Sequence, residues 1–525
     1  MNSFHVPERF NAAEYFVDEN IRKGRGQKIA IYSAEKNYTY DEVYQNVNRC
    51  GNLLKTLGVE MENRVLLLLQ DSPEFIISFF GAIKIGAIPI PTNTMLKAPD
   101  FEYVLNDSRA KVLIIDQNFL PEIEKIKGNL KYLKTLLVVG KEAANYPLFS
   151  GLLKESSPEL EPAETKKDDA AFWLYSARKP DELMGAIHLQ KNMAYCTEYY
   201  ARTILGMDEK DIVLSSYFFF AYGLGNGVYF PFGVGGATVL FPERPLPEKI
   251  YELIGKFRPT LFMSVPTLFR SLLDYKESQE REGKSVGRLD SLRACVASAE
   301  VLSLELYQRW KQTYGVEMLD GTGSTEACHI FLSNRIGNVR PGSAGQLVPG
   351  YEGKLVDEDG NEVGAGKIGN LLLKGETIAS AYWNKHDETK RNMLGEWFVT
   401  GDRYIRDEVG FFHYQGRSDD MMRVGGKWVS PMEIEKTLLA HPAVAEAAVV
   451  DYKDEDDLVK PYGFIVLKKG EKATGDLEED LKSFVKERIA PYKYPRWIEF
   501  ADDLPKTASG TVQRYLLKQR LLKRQ

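Results

Sequence analysis

The chain has 525 residues, 44% of them hydrophobic and 27% charged, with a formal net charge of -6. That length exceeds what one hydrophobic core serves, so two or more domains are expected. The acidic balance argues against nucleic acid as the main partner, and apolar runs such as Val65–Leu69 are far short of a membrane span.

From the start, M-N-S-F-H-V-P-E-R-F is charged early and lacks an apolar h-region, so no signal peptide is expected. Residues 28 to 150 alternate strand and helix. Lys28–Tyr32 reads as a strand. Thr39–Leu57 has helical periodicity and stops at Gly58. Arg64–Gln70 is an apolar run of strand length. Ser72–Ile85 is helical with Pro73 near its first turn, and Ala87–Pro91, Ala110–Asp116 and Leu133–Val139 are further strands. This alternation predicts parallel sheets covered by helices.

Residues 151 to 170 are polar and read as a solvated connection. The strand Ala171–Ser176 follows, then a helix over Asn192–Leu205 and a strand over Asp211–Ser215. Tyr217–Gly227 is aromatic, then glycine-rich. Thr260–Val265, Ala294–Ser298 and Glu317–Asp320 continue the strand–helix alternation. From about Gly342 short strands and turns dominate, with D-E-D-G as a hairpin turn. After Arg417 a small α+β unit follows, with helices over Pro431–Leu439 and Leu477–Ile489 and strands over Ala443–Val450 and Tyr462–Leu467. The basic tail Arg514–Gln525 suits a short solvated amphipathic helix. The expected fold class is α/β. A large N-terminal domain, 1–416, carries parallel-type sheets covered by helices plus a β-rich subdomain. A small C-terminal α+β domain, 417–525, follows, with the boundary near Gly416–Asp420.

Cys50, Cys196, Cys295 and Cys328 are far apart and form no C-x-x-C, which fits reduced thiols in the cytoplasm. Six histidines, none paired at ligand spacing, argue against a protein-held transition metal.

Four strings carry chemistry. Asp320–Glu326 reads D-G-T-G-S-T-E. A strand ends at Asp320, and a loop follows whose Gly321 and Gly323 let backbone approach a ligand closely. The letters S-T-E before an apolar run equally suit a capped helix start. Trp397–Asp402 reads W-F-V-T-G-D and ends on an acceptor-only carboxylate, which suits two adjacent hydroxyl donors. Gly416–Glu435 reads G-R-S-D-D-M-M-R-V-G-G-K-W-V-S-P-M-E-I-E, where Arg417 is either a ligand contact or a hairpin-turn arginine in solvent. In Ala221–Asn226, A-Y-G-L-G-N, small residues beside one tyrosine can form a flat slot for an aromatic ring. Tyr217–Tyr222 also suits plain core.

In this order and at these separations, the strings resemble the adenylate-forming acyl-CoA ligases, and look closest to the benzoate and hydroxybenzoate ligases, over nearly the whole chain. The resemblance implies ATP/AMP, Mg2+ and coenzyme A as cofactors, and a small aromatic carboxylic acid or its adenylate as substrate. It also suggests a homodimer. Acid and ATP would give acyl-AMP and diphosphate, and the CoA thiol would then give acyl-CoA and AMP. By the same resemblance Thr325 bonds the α-phosphate, Glu326 ligates Mg2+ and Thr322 lies against adenine. Ala299, Glu300, Asp320 and Gly321 belong to the same nucleotide site. Asp402 grips the ribose, and Arg417 adds ribose or phosphate contact. Ala221, Tyr222, Gly223 and Gly323 form the acid pocket, with His329 and Ile330 as its opposite wall. Asp419 is the hinge of a mobile lid, and Gly425 and Gly426 line the CoA channel.

Two segments depart from the family pattern. Where the family has a Ser/Thr/Gly-rich phosphate loop ending in Pro-Lys-Gly, this chain has Ser176-Ala177-Arg178-Lys179-Pro180-Asp181-Glu182-Leu183-Met184-Gly185. Only Ser176 and Gly185 keep their types, and Met184 stands at the lysine position. Pro180 removes an N–H donor, and Asp181 and Glu182 bring carboxylates where phosphates would sit. Arg178 and Lys179 can supply charge but not glycine-rich geometry. Near the C-terminus the family's last lysine of Pro-Lys-Thr-x-x-Gly-Lys is Thr511 here, with Lys506 nearby but displaced. A neutral hydroxyl cannot replace an ammonium at developing negative charge, a loss typically on the order of 10²-fold in rate or more. Both departures fall on adenylation. The expectation is an aryl-CoA ligase with weak or absent adenylation and thioester formation retained. Alternatives are a catalytically silent relative that binds an aromatic acid, its acyl-CoA or a partner enzyme, and a ligase that delivers its adenylate to a carrier-protein thiol.

Overall fold

A computed structural model describes residues 4–142, 145–179, 182–300, 302–424, 427–455, 458–506 and 512–522, with backbone only at 177–179, 182, 419, 427 and 428. The chain divides into two compact units. One comprises Met1–Glu352 and Lys374–Phe398, the other Gly353–Leu373 and Val399–Gln525.

The first unit is α/β. Its four-stranded sheet is wholly parallel, in the order Ile88–Pro91, Arg64–Leu68, Val112–Asp116, Thr135–Val139. These strands are near-continuous apolar runs because helices cover them. The helix Tyr40–Thr56 begins at a capping box, with Thr39 and Glu42 each bonding the other's backbone N–H. The helix Pro73–Lys84 starts with Ser72 as its cap and proline in its first turn. Its last residue, Lys84, is fully buried. The ammonium donates to both carboxylate oxygens of Asp18, at 2.8 and 2.7 Å, and to Asn48 Oδ1 at 2.6 Å.

The nine-stranded sheet of this unit runs Gln346–Leu347, Ile330–Ser333, Glu317–Gly323, Ala294–Ala297, Leu261–Ser264, Ile212–Leu214, Ala237–Val239, Ile29–Tyr32, Tyr38–Thr39. Its middle is parallel and its edges are antiparallel. A third, antiparallel sheet joins Ala170–Lys179, Glu182–Leu189 and Ala381–Tyr382.

The structure adds detail to the sequence reading at three places. The polar connection 151–170 begins inside a helix, Phe149–Glu155, and its following residues are pinned by side chains of Tyr40–Thr56. Asn48 donates to Pro158 O, Arg49 to Ser156 O, and Asn52 to Ser157 O and Glu159 O. The helix expected over Asn192–Leu205 widens into π geometry at Thr197–Arg202. The glycine-rich stretch beyond Phe220 is helical from Ala221 to Val234, with a central π turn at Gly225–Tyr229.

The second unit is rich in strands. Glu352–Val356, Ile368–Lys374 and Trp397–Arg406 lie side by side, and Phe412–Arg417 pairs with the last of them. A smaller α+β core follows, in which Val444–Lys453 and Val459–Leu467 are antiparallel and Trp497–Phe500 runs parallel to the latter. The helices Pro431–Leu439 and Gly475–Arg488 supply Ile434, Leu438, Leu481 and Val485 to that core.

Candidate active site

The D-G-T-G-S-T-E string begins where parallel pairing ends. Asp320 is the last residue opposite the neighbouring parallel strand, paired with Ala297. The strand does not stop there, as the sequence suggested, but runs on to Gly323 by antiparallel pairing with Ile330–Ser333. Both glycines are needed for that approach. A Cβ on Gly321 would meet Ile330 Cδ1 at 2.7 Å, and one on Gly323 would meet the carbonyl oxygen of His329 at 2.5 Å. Residues 324–329 form a turn, not a helix, with Ser324 Oγ accepting from Ala327 N at 3.2 Å. Cys328 takes the left-handed φ of +67°, uncommon for a side-chain-bearing residue. The Tyr229 hydroxyl donates to its carbonyl at 3.1 Å.

This turn presents Glu326, which is 3% exposed. Its Oε1 accepts from the Tyr382 hydroxyl at 2.8 Å and from Ser176 Oγ at 3.2 Å. Thr325 is half-buried, and its carbonyl lies 2.9 Å from His188 Nε2. The sequence assigned no role to Tyr382, because a tyrosine after an isolated alanine carries no motif of its own.

The expected phosphate-loop segment is a β-hairpin. Ser176 pairs with Met184, Tyr175 with Gly185, Ala177 with Leu183 and Lys179 with Glu182. Met184 is 1% exposed and packs with Ala186, Ala379 and Tyr382. The side chains of Arg178 and Lys179 lie outside the described residues.

The residues expected to form an acid pocket come together in the first unit. Tyr222 stacks on His329 with ring centroids 5.6 Å apart at 26°, and its hydroxyl donates to Val296 O at 2.9 Å. His329 is 1% exposed, also meets Phe230 and Tyr200, and among the described residues neither ring nitrogen has a partner at hydrogen-bond geometry. Burial pushes its pKa down to about 3, so the ring is neutral at physiological pH. Gly225 sits against this ring, where a Cβ would meet His329 Cδ2 at 2.4 Å. Ala221 opens the helix beside Tyr222, and Gly223 leaves room for the carbonyls of Ser216 and Tyr217, which a Cβ would meet at 2.4 and 2.3 Å. Ile330 is buried next to His329.

Asp71, 146 residues away in sequence, anchors this corner. Its Oδ2 accepts from Tyr217 N at 2.6 Å and its Oδ1 from Phe218 N at 3.0 Å. Burial raises its pKa to about 7 despite those donors. The one signal available in sequence was an aspartate at the end of an apolar strand.

At the remaining positions expected to meet the nucleotide, Ala299 adopts a φ of +70°. Glu300 Oε2 accepts from Thr267 N at 2.9 Å and Thr267 Oγ1 at 2.7 Å, tying it to the first turn of the helix Pro266–Arg281. Thr322 is paired with Leu332.

In the second unit, Asp402 and Arg417 are paired across adjacent strands, and Arg417 Nη1 donates to Asp402 Oδ1 at 3.3 Å. Arg417 is therefore an ion-paired strand residue and not a free turn arginine. Arg514 bridges Glu435 at 2.7 Å and Asp420 at 3.3 Å, which fixes the residue after Asp419 to the C-terminal helix. Lys506 is held by Glu446 at 2.7 Å and Asp503 at 3.6 Å. The Asp419 side chain, Gly425, Gly426 and Thr511 lie outside the described residues.

With that geometry in place, the class is plain: the chain belongs to the AMP-binding enzymes. The AMP-binding enzyme family matches residues 17–383, and the AMP-binding enzyme C-terminal domain matches 433–511. Among individual relatives, it is 45% identical to the benzoate–CoA ligase of Thauera aromatica, over 98% of this chain and 96% of that one. It is 41% identical to the 4-hydroxybenzoate–CoA/benzoate–CoA ligase of Rhodopseudomonas palustris, over 98% and 94%. The solved structure of the anthranilate CoA ligase AuaEII with anthranoyl-AMP is similar at a TM-score of 0.92 and 40% identity, covering 99% of both chains.

Proposed function

We propose that this protein is an aryl-CoA ligase. It forms the thioester of a benzoate-like acid from its acyl-adenylate and coenzyme A, and carries out the preceding ATP-dependent adenylation weakly or not at all. The observation that carries this reading is the hairpin at Ser176–Gly185. A polyphosphate cradle needs backbone N–H groups turned to the ligand and a cation beside them. Here the segment is strand on both sides, and the residue at the lysine position is Met184, sealed against Tyr382. Lys506 does not stand in for the missing C-terminal lysine, because Glu446 and Asp503 hold its ammonium.

The groups for the second step remain. A neutral His329 and Tyr222 offer an apolar slot to an aromatic ring, with Gly323 and Ile330 beside it. Asp402 accepts the ribose hydroxyls and Arg417 orients that carboxylate. Glu326 fits a Mg2+, since Oε2 is left over after Tyr382 and Ser176 have taken Oε1. A bound Mg2+ would neutralise phosphate charge. The CoA sulfur bonds to the acyl carbon, the carbon–oxygen bond to phosphate breaks, AMP departs and the thiol proton goes to solvent. The lid, 417–525, would turn about Asp419 to bring Gly425 and Gly426 to the thiol's path.

Two reactions run in parallel test this, read by mass spectrometry of benzoyl-CoA. One holds benzoate, ATP, Mg2+ and CoA, the other benzoyl-AMP and CoA. Product from benzoyl-AMP alone is expected. Comparable product from both refutes the adenylation defect. Gly425→Val or Gly426→Val should block product from benzoyl-AMP, and unchanged product rejects the channel assignment. The capture of Glu326 by Tyr382 and Ser176 also favours a second reading, a ligand-binding relative without turnover, and product from neither reaction would select it.

A further inference from the structure

In the parallel four-stranded sheet, three adjacent strands begin on cations. Arg64 opens Arg64–Leu68, Lys111 precedes Val112–Asp116 and Lys134 precedes Thr135–Val139. They stand in a row, since Lys111 N donates to Arg64 O and Lys134 N to Lys111 O, both at 2.9 Å. With Arg109, Tyr132 and Glu60 they line a cavity of about 280 Å³.

Aromatic rings hold the two guanidiniums in place. That of Arg109 lies 6.0 Å from the Tyr132 ring and 5.6 Å from Trp383, and that of Arg64 lies 5.5 Å from Trp383 and 5.8 Å from Trp173. Arg64 spends its visible hydrogen bonds on carbonyls, Ser108 O at 2.7 Å and Glu62 O at 2.9 Å. Lys111 donates to Asn63 Oδ1 at 3.2 Å and to Gly58 O. No ion pair with a carboxylate involves any of the four cations among the described residues. Glu60 on the wall and Glu62 beside Arg64 leave the group net positive. Asp107, near Arg109, has Oδ2 taken by the Tyr175 hydroxyl at 2.7 Å. Burial, then the like charge of Arg109, lowers the pKa of Arg64, so that guanidinium is costly to keep charged where it stands.

The backbone points the same way. Arg109 caps the helix Ala98–Ser108 in the left-handed region, at φ +53°, where glycine is the unstrained choice. A strained arginine beside three further cations is poor design for packing and good design for an anion, whose oxygens would meet preorganised forks and point charges together.

We propose that this cavity is a binding site for a diphosphate group, either inorganic diphosphate or the diphosphate of a nucleotide.

Isothermal titration of the full-length protein with sodium diphosphate, and separately with ADP, tests it. Arg109→Gln/Lys134→Gln removes two cations from the cavity, and Lys210→Gln/Lys469→Gln removes the same charge elsewhere. Diphosphate should bind wild type and the control alike, and the cavity variant about 10-fold more weakly or worse. A parallel loss for ADP identifies the nucleotide form as a ligand, and a loss for diphosphate alone identifies the free anion. If the double variant fails to fold, Lys134→Glu, on an exposed side chain, should still weaken binding several-fold. Absence of diphosphate binding to wild type, or equal binding by the cavity variants, overturns the site.

Discussion

At the scale of single residues, Asp71 and His329, both at the proposed acid slot, act on stability with opposite electrostatic signs. The Asp71 carboxyl is raised from 3.8 to about 7 by burial, so between those values the folded chain holds a proton that the unfolded chain has released. Its contribution to stability therefore falls as pH rises through that window. The His329 imidazole is lowered from 6.5 to about 3, so the unfolded chain is the one that binds the proton, and its contribution rises with pH between those values. Each amounts to about 4–5 kcal/mol over its window, at about 1.4 kcal/mol per pH unit, and the two largely cancel in wild type. Separate variants uncover them. Relative to wild type, Asp71→Asn should gain stability as pH rises from 4 to 7, and His329→Phe should gain as pH falls from 6.5. Denaturant titrations across pH read both, and two parallel curves would contradict the assignment. Met184 gives a third test. Met184→Lys restores the family's residue type but places an ammonium among Ala186, Ala379 and Tyr382, so it should cost on the order of 3–5 kcal/mol and restore no ATP-dependent turnover. A stable variant with new adenylation would show that the hairpin opens.

At the scale of elements, the helix Pro73–Lys84 is locked to its neighbours by one buried ion pair. Lys84→Met would leave Asp18 charged and unpartnered, at about 3–5 kcal/mol, and Asp18→Asn/Lys84→Met should recover most of it in chemical denaturation. The helix that opens at Ala221 depends on Gly223. Gly223→Ala must push back the backbone carbonyls of Ser216 and Tyr217, so it should cost about 1–3 kcal/mol and weaken benzoyl-AMP binding. Such contacts mark the limit of what the sequence reveals. The strand–helix alternation was legible because apolar period and caps are local, as with Thr39, Ser72 and Pro73. The changed residue types at Ser176–Gly185 were equally legible. Their conformation was not, because pairing Ser176 with Met184 depends on Tyr382 and Ala379, some two hundred residues on. Asp71 drew no reading because its partners, the N–H groups of Tyr217 and Phe218, belong to a distant turn. Tyr382 stayed silent for the same reason.

At the scale of the whole molecule, the proposed function separates two half-reactions that the family performs on one chain. The proposed acid slot and Glu326 lie in the first unit, and the Asp402–Arg417 pair lies in the second. On that proposal, the altered residues in both units, Met184 in the hairpin and Thr511 near the C-terminus, bear on holding and charging ATP. Loss of one preorganised cation at a developing charge typically costs about 10²-fold in rate or more. Two such losses on the same step should silence it, while a step that starts from the finished adenylate is spared. Benzoate-dependent exchange of labelled diphosphate into ATP reads the adenylation step alone, without CoA. The prediction is exchange at the level of the protein-free control, from a preparation that converts benzoyl-AMP and CoA to benzoyl-CoA. Exchange at a rate comparable to that thioester formation would contradict it.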